Sequence, residues 1–229
     1  MAGPDSPDGT HIRFISLYSQ IDLITVAIGF VVLIVALSIH EAAHAWTADR
    51  LGDPTARLQG RVSLNPIVHI DPIGTVLLPL AAIISHLPII GWAKPVPVNA
   101  RNFRQPRRDF VLVAAAGPIS NLIQAVVAAM LLRALTASVS QDVAAAPLAI
   151  EALFFAVEIN VLLALFNLVP VPPLDGGNVL AGLLPPSAAS AYIQLRRYGF
   201  LILYALILTG ALNAIIMPPT NLLMGLLLP

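Results

Sequence analysis

Two histidines and a glutamate end the first long apolar run of the chain, in the stretch LSIHEAAHAW. His40 and His44 are four residues apart, so on a helix their imidazoles share one face and can bind one metal ion. Glu41 lies beside them and can act as a general base for a water molecule. This spacing is typical of a zinc hydrolase, in which two histidines leave a tetrahedral ion short of a third protein ligand.

The third ligand has to come from a distant part of the chain, because no His or Glu follows HEAAH at the spacing that soluble zinc proteases use. Asp175, in the stretch PLDGG, is the best candidate, since a carboxylate binds zinc and the glycines after it allow a sharp turn. Asn167 precedes the prolines that end a predicted helix, and its amide can donate a hydrogen bond to a developing oxyanion. Because the chain has no cysteine, its metal site must be built from His, Asp and Glu.

The composition places these polar residues in a membrane protein. Hydrophobic residues make up 58% of the 229 positions and charged residues 10%, whereas roughly 25% are charged in soluble domains. An ionisable side chain inside a membrane helix costs at least about 2.5 kcal/mol, so the residues of HEAAH are expected to have a functional partner. The net charge of zero gives no indication of a nucleic-acid partner.

After a polar tail of residues 1–20, residues 21–229 are predicted to form a single all-α membrane domain, a helical bundle with four to five membrane segments. The apolar segments lie at residues 21–46, 73–90, 110–135, 147–169 and 198–217. Segment 73–90 is short, contains prolines and has arginines on both flanks. We therefore expect it to re-enter the membrane from the cytoplasmic side rather than to span it.

Positive charges predict the orientation of the bundle. Arginines flank segment 73–90 and recur at Arg196 and Arg197, whereas residues 137–146 contain neither Lys nor Arg. Because cytoplasmic loops collect positive charge, the N-terminus is predicted to lie outside and the inner ends of the first and fourth spans to face the cytoplasm. HEAAH and Asp175 would then lie at one depth.

Several other polar residues are interpreted as structural. Gly117, Pro118 and Asn121 are expected to serve helix packing rather than substrate contact. His69 and Asp71, two residues apart in a proline-bounded loop, are expected to fix that loop by hydrogen bonds rather than to form a second metal site.

The stretch ARLQGRVSLNP, residues 56–66, is the one strand-like cytoplasmic element, either an edge strand that holds substrate or a plain loop. Asn160 is seven residues before Asn167 and is predicted to share its helix face toward the cleft, with Glu158 on nearly the opposite face. His86, between apolar residues, is expected to be a hydrogen-bonded or an interfacial histidine rather than a ligand.

Three blocks of sequence resemble the site-2 proteases, which are zinc metalloproteases of the membrane. These blocks are HEAAH at residues 40–44, AGPISN at 116–121 and FNLVPVPPLDGG at 166–177. The stretches GRVSLNP, HIDPIGT and GWAKPVPVN extend the resemblance over most of residues 21–183. The chain is similar to compact members without a PDZ-like or CBS-like domain.

The resemblance implies one zinc ion per chain, held by His40, His44 and Asp175. It implies that Glu41 is the general base, that Asn167 lies near the scissile carbonyl, and that the first, third and fourth segments form a three-helix catalytic core. The expected activity is an intramembrane endopeptidase that cleaves single-span membrane proteins or peptides within the bilayer. We expect it in the plasma membrane of a prokaryote, with the active site toward the cytoplasm.

Two other functional classes stay open at this point. A catalytically silent scaffold could keep the fold, although Glu41, which need not bind the metal, argues for catalysis. A metal or proton transporter would spread ionisable residues along a pathway and show internal repeats, whereas this chain concentrates them at one depth.

Overall fold

The computed structural model describes residues 23–78, 92–138 and 146–228. These residues are mostly helical, and no β-strand occurs among them. The polar tail of residues 1–20, most of the predicted re-entrant segment and His86 lie outside the described residues. The described start of that segment is a π-helical turn, Pro72–Leu77.

Eight α-helices occur in the described ranges: α1 Leu23–Arg50, α2 Thr55–Leu58, α3 Pro106–Ser138, α4 Ala146–Leu168, α5 Asp175–Leu183, α6 Pro186–Ile193, α7 Gly199–Leu208 and α8 Ala211–Leu227. Short 3₁₀ turns lie at Pro66–Val68, Ala100–Asn102 and Gln194–Tyr198. Four stretches are long and apolar enough to cross a bilayer, at residues 23–50, 106–137, 147–168 and 186–208. The protein is therefore a multi-pass membrane protein of the all-α class.

Helices α1, α3 and α4 pack together and form the centre of the bundle. Between α3 and α4 the small side chains of Ala125, Ala128 and Ala129 meet Val157 and Val161, and all five are buried. Small residues let the two backbones approach closely, which is how helices associate in lipid without a hydrophobic driving force. The predicted three-helix core is thus the observed one.

The last predicted segment, residues 198–217, is not one continuous helix. It is broken at Gly210, which has a left-handed φ of 74° and is the N-cap residue of α8. Only glycine adopts this conformation without strain, so the apolar pattern continues while the helix does not. The span at this end of the chain is formed by α6, the 3₁₀ turn and α7 together.

Residues 56–66 form a short helix and a turn rather than an edge strand, which leaves the loop alternative. Helix α2 ends at Leu58, and Gly60, with φ 69°, turns the chain so that the Arg61 amide donates to the Ala56 carbonyl. The apolar residues that suggested the alternation, Leu58, Val62 and Leu64, are exposed by 77%, 37% and 68%, whereas Arg61 is buried. The alternating apolar residues therefore lie on an exposed turn that buries Arg61, not on one face of a strand.

Candidate active site

Helix α1 carries the two histidines on its buried side. His40 and His44 are exposed by only 4% and 7%, and their Nε2 atoms lie 3.0 Å apart. Ala45 and Ala48, on the same side of α1, are fully buried. Such small side chains leave room for a neighbouring helix, so these imidazoles sit inside the bundle although α1 is apolar enough to face lipid elsewhere.

Asp175 reaches the histidines from the first residue of α5. Its Oδ2 lies 3.1 Å from Nε2 of His40 and 3.3 Å from Nε2 of His44. Helix α4 ends at Leu168 before a run of prolines, and Gly176 then packs so closely on it that a Cβ there would overlap the Leu168 carbonyl. A glycine is needed at this contact because the start of α5 lies directly on the backbone at the end of α4.

Gly117 of α3 forms the opposite wall of this three-residue group. A Cβ added at Gly117 would overlap the Nε2 atoms of both His40 and His44. Gly117 therefore does more than let helices pack, because it leaves open the space beside the ligand nitrogens. The sequence signal was the AGP triplet, which by itself indicates only close packing.

The other ring nitrogen of each histidine has a hydrogen-bond partner. Nδ1 of His44 lies 2.7 Å from the backbone carbonyl of Val113, and Nδ1 of His40 lies 2.5 Å from Oδ1 of Asn121. A carbonyl oxygen only accepts, so Nδ1 carries the proton and donates it, and Nε2 keeps its lone pair. The same holds for His40 because its partner is an amide oxygen.

The three ligand atoms fit a tetrahedral metal ion. Their mutual distances of 3.0, 3.1 and 3.3 Å are close to the edge of about 3.3 Å of a tetrahedron with metal bonds of about 2.0 Å. Two lone pairs and a carboxylate oxygen that converge at these distances suit a bound cation. Among the described residues, His40, His44 and Asp175 form the group that can hold a metal.

A cleft of about 680 Å³ opens beside this group and contains the two predicted catalytic residues. Glu41 and Asn167 both line it, together with Arg196. One hydrogen of the Asn167 amide nitrogen is used, because Nδ2 donates to the Leu163 carbonyl at 3.0 Å. The amide has a second hydrogen. The helix therefore holds the Asn167 side chain while one donor remains for a substrate.

One wall of the cleft is the stretch WAKPVPV, residues 92–98, which has no helix and is called the strap below. The guanidinium of Arg61, exposed by 3%, donates to the carbonyls of Lys94 and Pro95. Lys94 in turn donates its amide to the His69 carbonyl at 2.8 Å. The buried arginine, which the sequence analysis did not select, thus holds the strap in place.

His69 and Asp71 fix the loop beneath the strap, as predicted. Nε2 of His69 contacts the Ser63 carbonyl at 2.7 Å, and Asp71 accepts from the amides of Ile73 and Gly74 at the start of the π-helical turn. These contacts are turn and capping chemistry rather than metal ligation.

Asp53 anchors the end of the strap. Its fully buried carboxylate accepts from the Asn99 amide at 2.6 Å, the Asn102 side chain at 2.7 Å and the Thr55 hydroxyl. Burial raises the pKa of Asp53, but these hydrogen bonds outweigh burial and leave the pKa below its ordinary value. The carboxylate is therefore ionised and fixed.

Asn160 does not lie in the cleft. It is buried at 3% exposure between α3 and α4, where its Oδ1 accepts from Asn121 at 2.7 Å. The prediction that Asn160 faces the cleft is therefore wrong, because seven residues of helix place it about 10 Å from Asn167 along the axis of α4.

Comparison with known proteins gives consistent matches. Residues 134–209 match the model of peptidase family M50. The chain is 41% identical over 192 residues to "Putative zinc metalloprotease YwhC" of Bacillus subtilis, covering 83% of this chain and 84% of that protein. It is 32% identical over 192 residues to "Putative zinc metalloprotease Rip2" of Mycolicibacterium smegmatis, covering 81% and 70%. No solved structure matches the chain at a significant level.

The similarity to these relatives covers more than four fifths of this chain. The structure brings a His-Glu-x-x-His helix and a distant Asp-Gly-Gly turn together inside a membrane bundle. The chain belongs to peptidase family M50.

Proposed function

We propose that the protein is a zinc-dependent intramembrane endopeptidase. One observation carries the proposal: ligand atoms from α1 and α5, 135 residues apart in sequence, converge beside Glu41 in a cleft between membrane helices. The names of the two relatives, both called zinc metalloproteases, support zinc as the metal. His40, His44 and Asp175 would hold it.

The residues of the cleft divide the work of peptide hydrolysis among them. When bound, zinc supplies a Lewis acid that makes water more acidic and polarises a carbonyl group. Glu41 accepts the proton of the attacking water and passes it to the departing amine. Asn167 donates its second amide hydrogen to the oxygen on which negative charge develops. The strap, residues 92–98, forms the wall against which an unwound substrate lies.

The substrate is a single-span membrane protein or peptide. A second cavity, apolar and about 420 Å³ in volume, lies beside the cleft between α1, α4, α7 and α8. Leu163 and Phe166 line both cavities. An apolar cavity at this depth suits a hydrophobic segment that arrives from the bilayer, and the shared wall leads it toward the metal.

The active site faces the cytoplasmic side of a prokaryotic plasma membrane. His40 lies about 26 Å along α1 from Leu23, near the inner limit of a hydrocarbon core of about 30 Å if the helix enters from outside. Arginines at the same end of the bundle, between α1 and α3, favour that orientation. Both relatives are bacterial.

The two alternatives are less well supported. A silent scaffold would have no use for Glu41 in the cleft, and a transporter would need ionisable groups along a path through the bundle rather than one group of three at one depth.

Activity is tested on purified protein in proteoliposomes with a fluorogenic single-span peptide, alongside zinc content. We expect wild type to bind one zinc and cleave, Glu41→Gln to bind zinc without cleavage, and Asp175→Ala to lose both. Cleavage by Glu41→Gln would refute its role as base. Zinc binding without cleavage in wild type, against a panel of single-span substrates, would favour the scaffold.

Orientation is tested separately, and the chain suits the test because it has no cysteine of its own. A single cysteine at Gln105, before α3, is expected to resist a membrane-impermeant maleimide in intact cells and to react after lysis. Reaction in intact cells would place the site outside.

A further inference from the structure

We propose that Asn121 and Asn160 are positioning residues that fix the proton of His40 on Nδ1 and so keep Nε2 free for the metal. The inference rests on the proposed function only in taking Nε2 as the ligand atom. Neither asparagine lines the cleft, so both act through His40.

The two asparagines form a buried hydrogen-bonded relay across three helices. Nδ1 of His40, on α1, lies 2.5 Å from Oδ1 of Asn121, on α3. Nδ2 of Asn121 donates to Oδ1 of Asn160, on α4, at 2.7 Å, and Nδ2 of Asn160 donates to the Ala156 carbonyl at 2.8 Å. His40, Asn121 and Asn160 are exposed by 4% or less.

The direction of every bond in the relay follows from its last member. The backbone carbonyl of Ala156 can only accept, so the nitrogen of the Asn160 amide must point at it and its oxygen must point at Asn121. The nitrogen of Asn121 then faces Asn160, and its oxygen faces His40. Nδ1 of His40 is left to donate, which places the lone pair on Nε2, 3.1 Å from Oδ2 of Asp175.

His44 obtains the same result without a relay, because its Nδ1 contacts the Val113 carbonyl directly. Both histidines therefore take their tautomer from a backbone carbonyl, His44 directly and His40 through two amides. Removing a partner that orients a metal-binding histidine typically costs 10- to 100-fold in metal affinity. The relay predicts that this cost also extends to Asn160, which does not touch His40.

The test measures zinc affinity by chelator competition, and the d–d spectrum of the cobalt-substituted protein, for variants in detergent. We expect Asn121→Leu to weaken zinc binding by about 10- to 100-fold, and Asn160→Leu to weaken it in the same direction by a smaller factor. Asn121→Asp, which keeps an oxygen to accept from His40, is expected to bind zinc about as tightly as wild type. Both Leu variants should alter the cobalt spectrum.

Gln124→Leu is the matched control. Gln124 lies one turn beyond Asn121 on α3, and its buried Nε2 finds no hydrogen-bond partner among the described residues. This variant is expected to bind zinc as wild type does. Equal losses in Gln124→Leu and Asn121→Leu would show a general packing effect and overturn the proposal, as would unchanged affinity in both Asn121→Leu and Asn160→Leu.

Thermal unfolding and size exclusion verify that each variant folds. If Asn121→Leu does not fold, Asn160→Leu carries the test, because it leaves the contact between His40 and Asn121 in place. Zinc affinity is measured without any peptide substrate, so these outcomes do not depend on whether the protein cleaves peptides.

Discussion

The Nε2 atoms of His40 and His44 face one another at 3.0 Å, one helical turn apart, and the hydrogen bonds on the far side of each ring leave both with a lone pair. Two such lone pairs repel unless a cation lies between them. Asp175 adds a third ligand atom at 3.1 and 3.3 Å, so a metal ion at this position would be held by all three side chains.

Gly117→Ala is expected to abolish zinc binding, because the added methyl would overlap both Nε2 atoms. Zinc content of the purified variant should fall from one per chain to background, and cleavage should be lost with it. Gly29→Ala, on α1 where a Cβ meets only open space, is the control and should keep full zinc. Normal zinc content in Gly117→Ala would mean that the metal lies elsewhere.

Asn167→Ala is expected to lower kcat by about 100- to 1,000-fold, the usual loss on removal of one oxyanion donor. Zinc content and KM should stay near wild type, since Asn167 is not among the converging ligands. Asn221→Ala removes an exposed amide on α8 that lines neither cavity and is the matched control. A change confined to KM would assign Asn167 to substrate binding instead.

Arg61→Lys is expected to raise KM by about tenfold, since the single lysine nitrogen cannot take the places of the two guanidinium nitrogens that reach the two carbonyls, and the loss of one charge-assisted hydrogen bond is worth about 1.5 kcal/mol. The strap would shift while the metal group, which Arg61 does not contact, keeps its zinc. Arg57→Lys, in the adjoining helix α2 and with its side chain exposed by 60% in an ion pair with Asp49, should be neutral. Steady-state kinetics on both variants distinguish these outcomes, and equal KM values would dismiss the strap as a substrate wall.

Asp53→Asn is expected to lower stability near neutral pH by on the order of 2 kcal/mol, because the carboxylate loses its charge-assisted bonds. Since the folded pKa of Asp53 lies below its ordinary value, its contribution is present above about pH 4 and is lost as the pH falls through that lowered pKa. The difference in Tm between wild type and Asp53→Asn should therefore shrink on acidification, measured with zinc chelated in both. A difference that grows at low pH would contradict this assignment.

The sequence predicted the fold class and the converging residues because both depend on strong local signals. Long apolar runs locate α1, α3 and α4 to within a few residues. In a chain without cysteine only His, Asp and Glu are left as metal ligands, and the motifs HEAAH and PLDGG contain the three residues that converge. The positions of the arginines predicted in addition that both motifs lie at the same end of the bundle.

The features that the sequence did not predict depend on local turns or on distances between helices. The spacing of Leu58, Val62 and Leu64 is typical of a strand, but Gly60 adopts a positive φ and turns the chain. The helix break at Gly210 does not interrupt the apolar run, so hydropathy does not indicate it. The link from Asn160 to His40 needs three helices at a fixed separation, which spacing along one helix does not reveal.

The relay behind His40 terminates on main chain rather than on a side chain. Whatever residue occupied position 156, an oxygen would still stand there as long as the helix did. The choice of which imidazole nitrogen is protonated is thus insensitive to the side chain at position 156, and at that end of the relay only a local unwinding of α4 would disturb it.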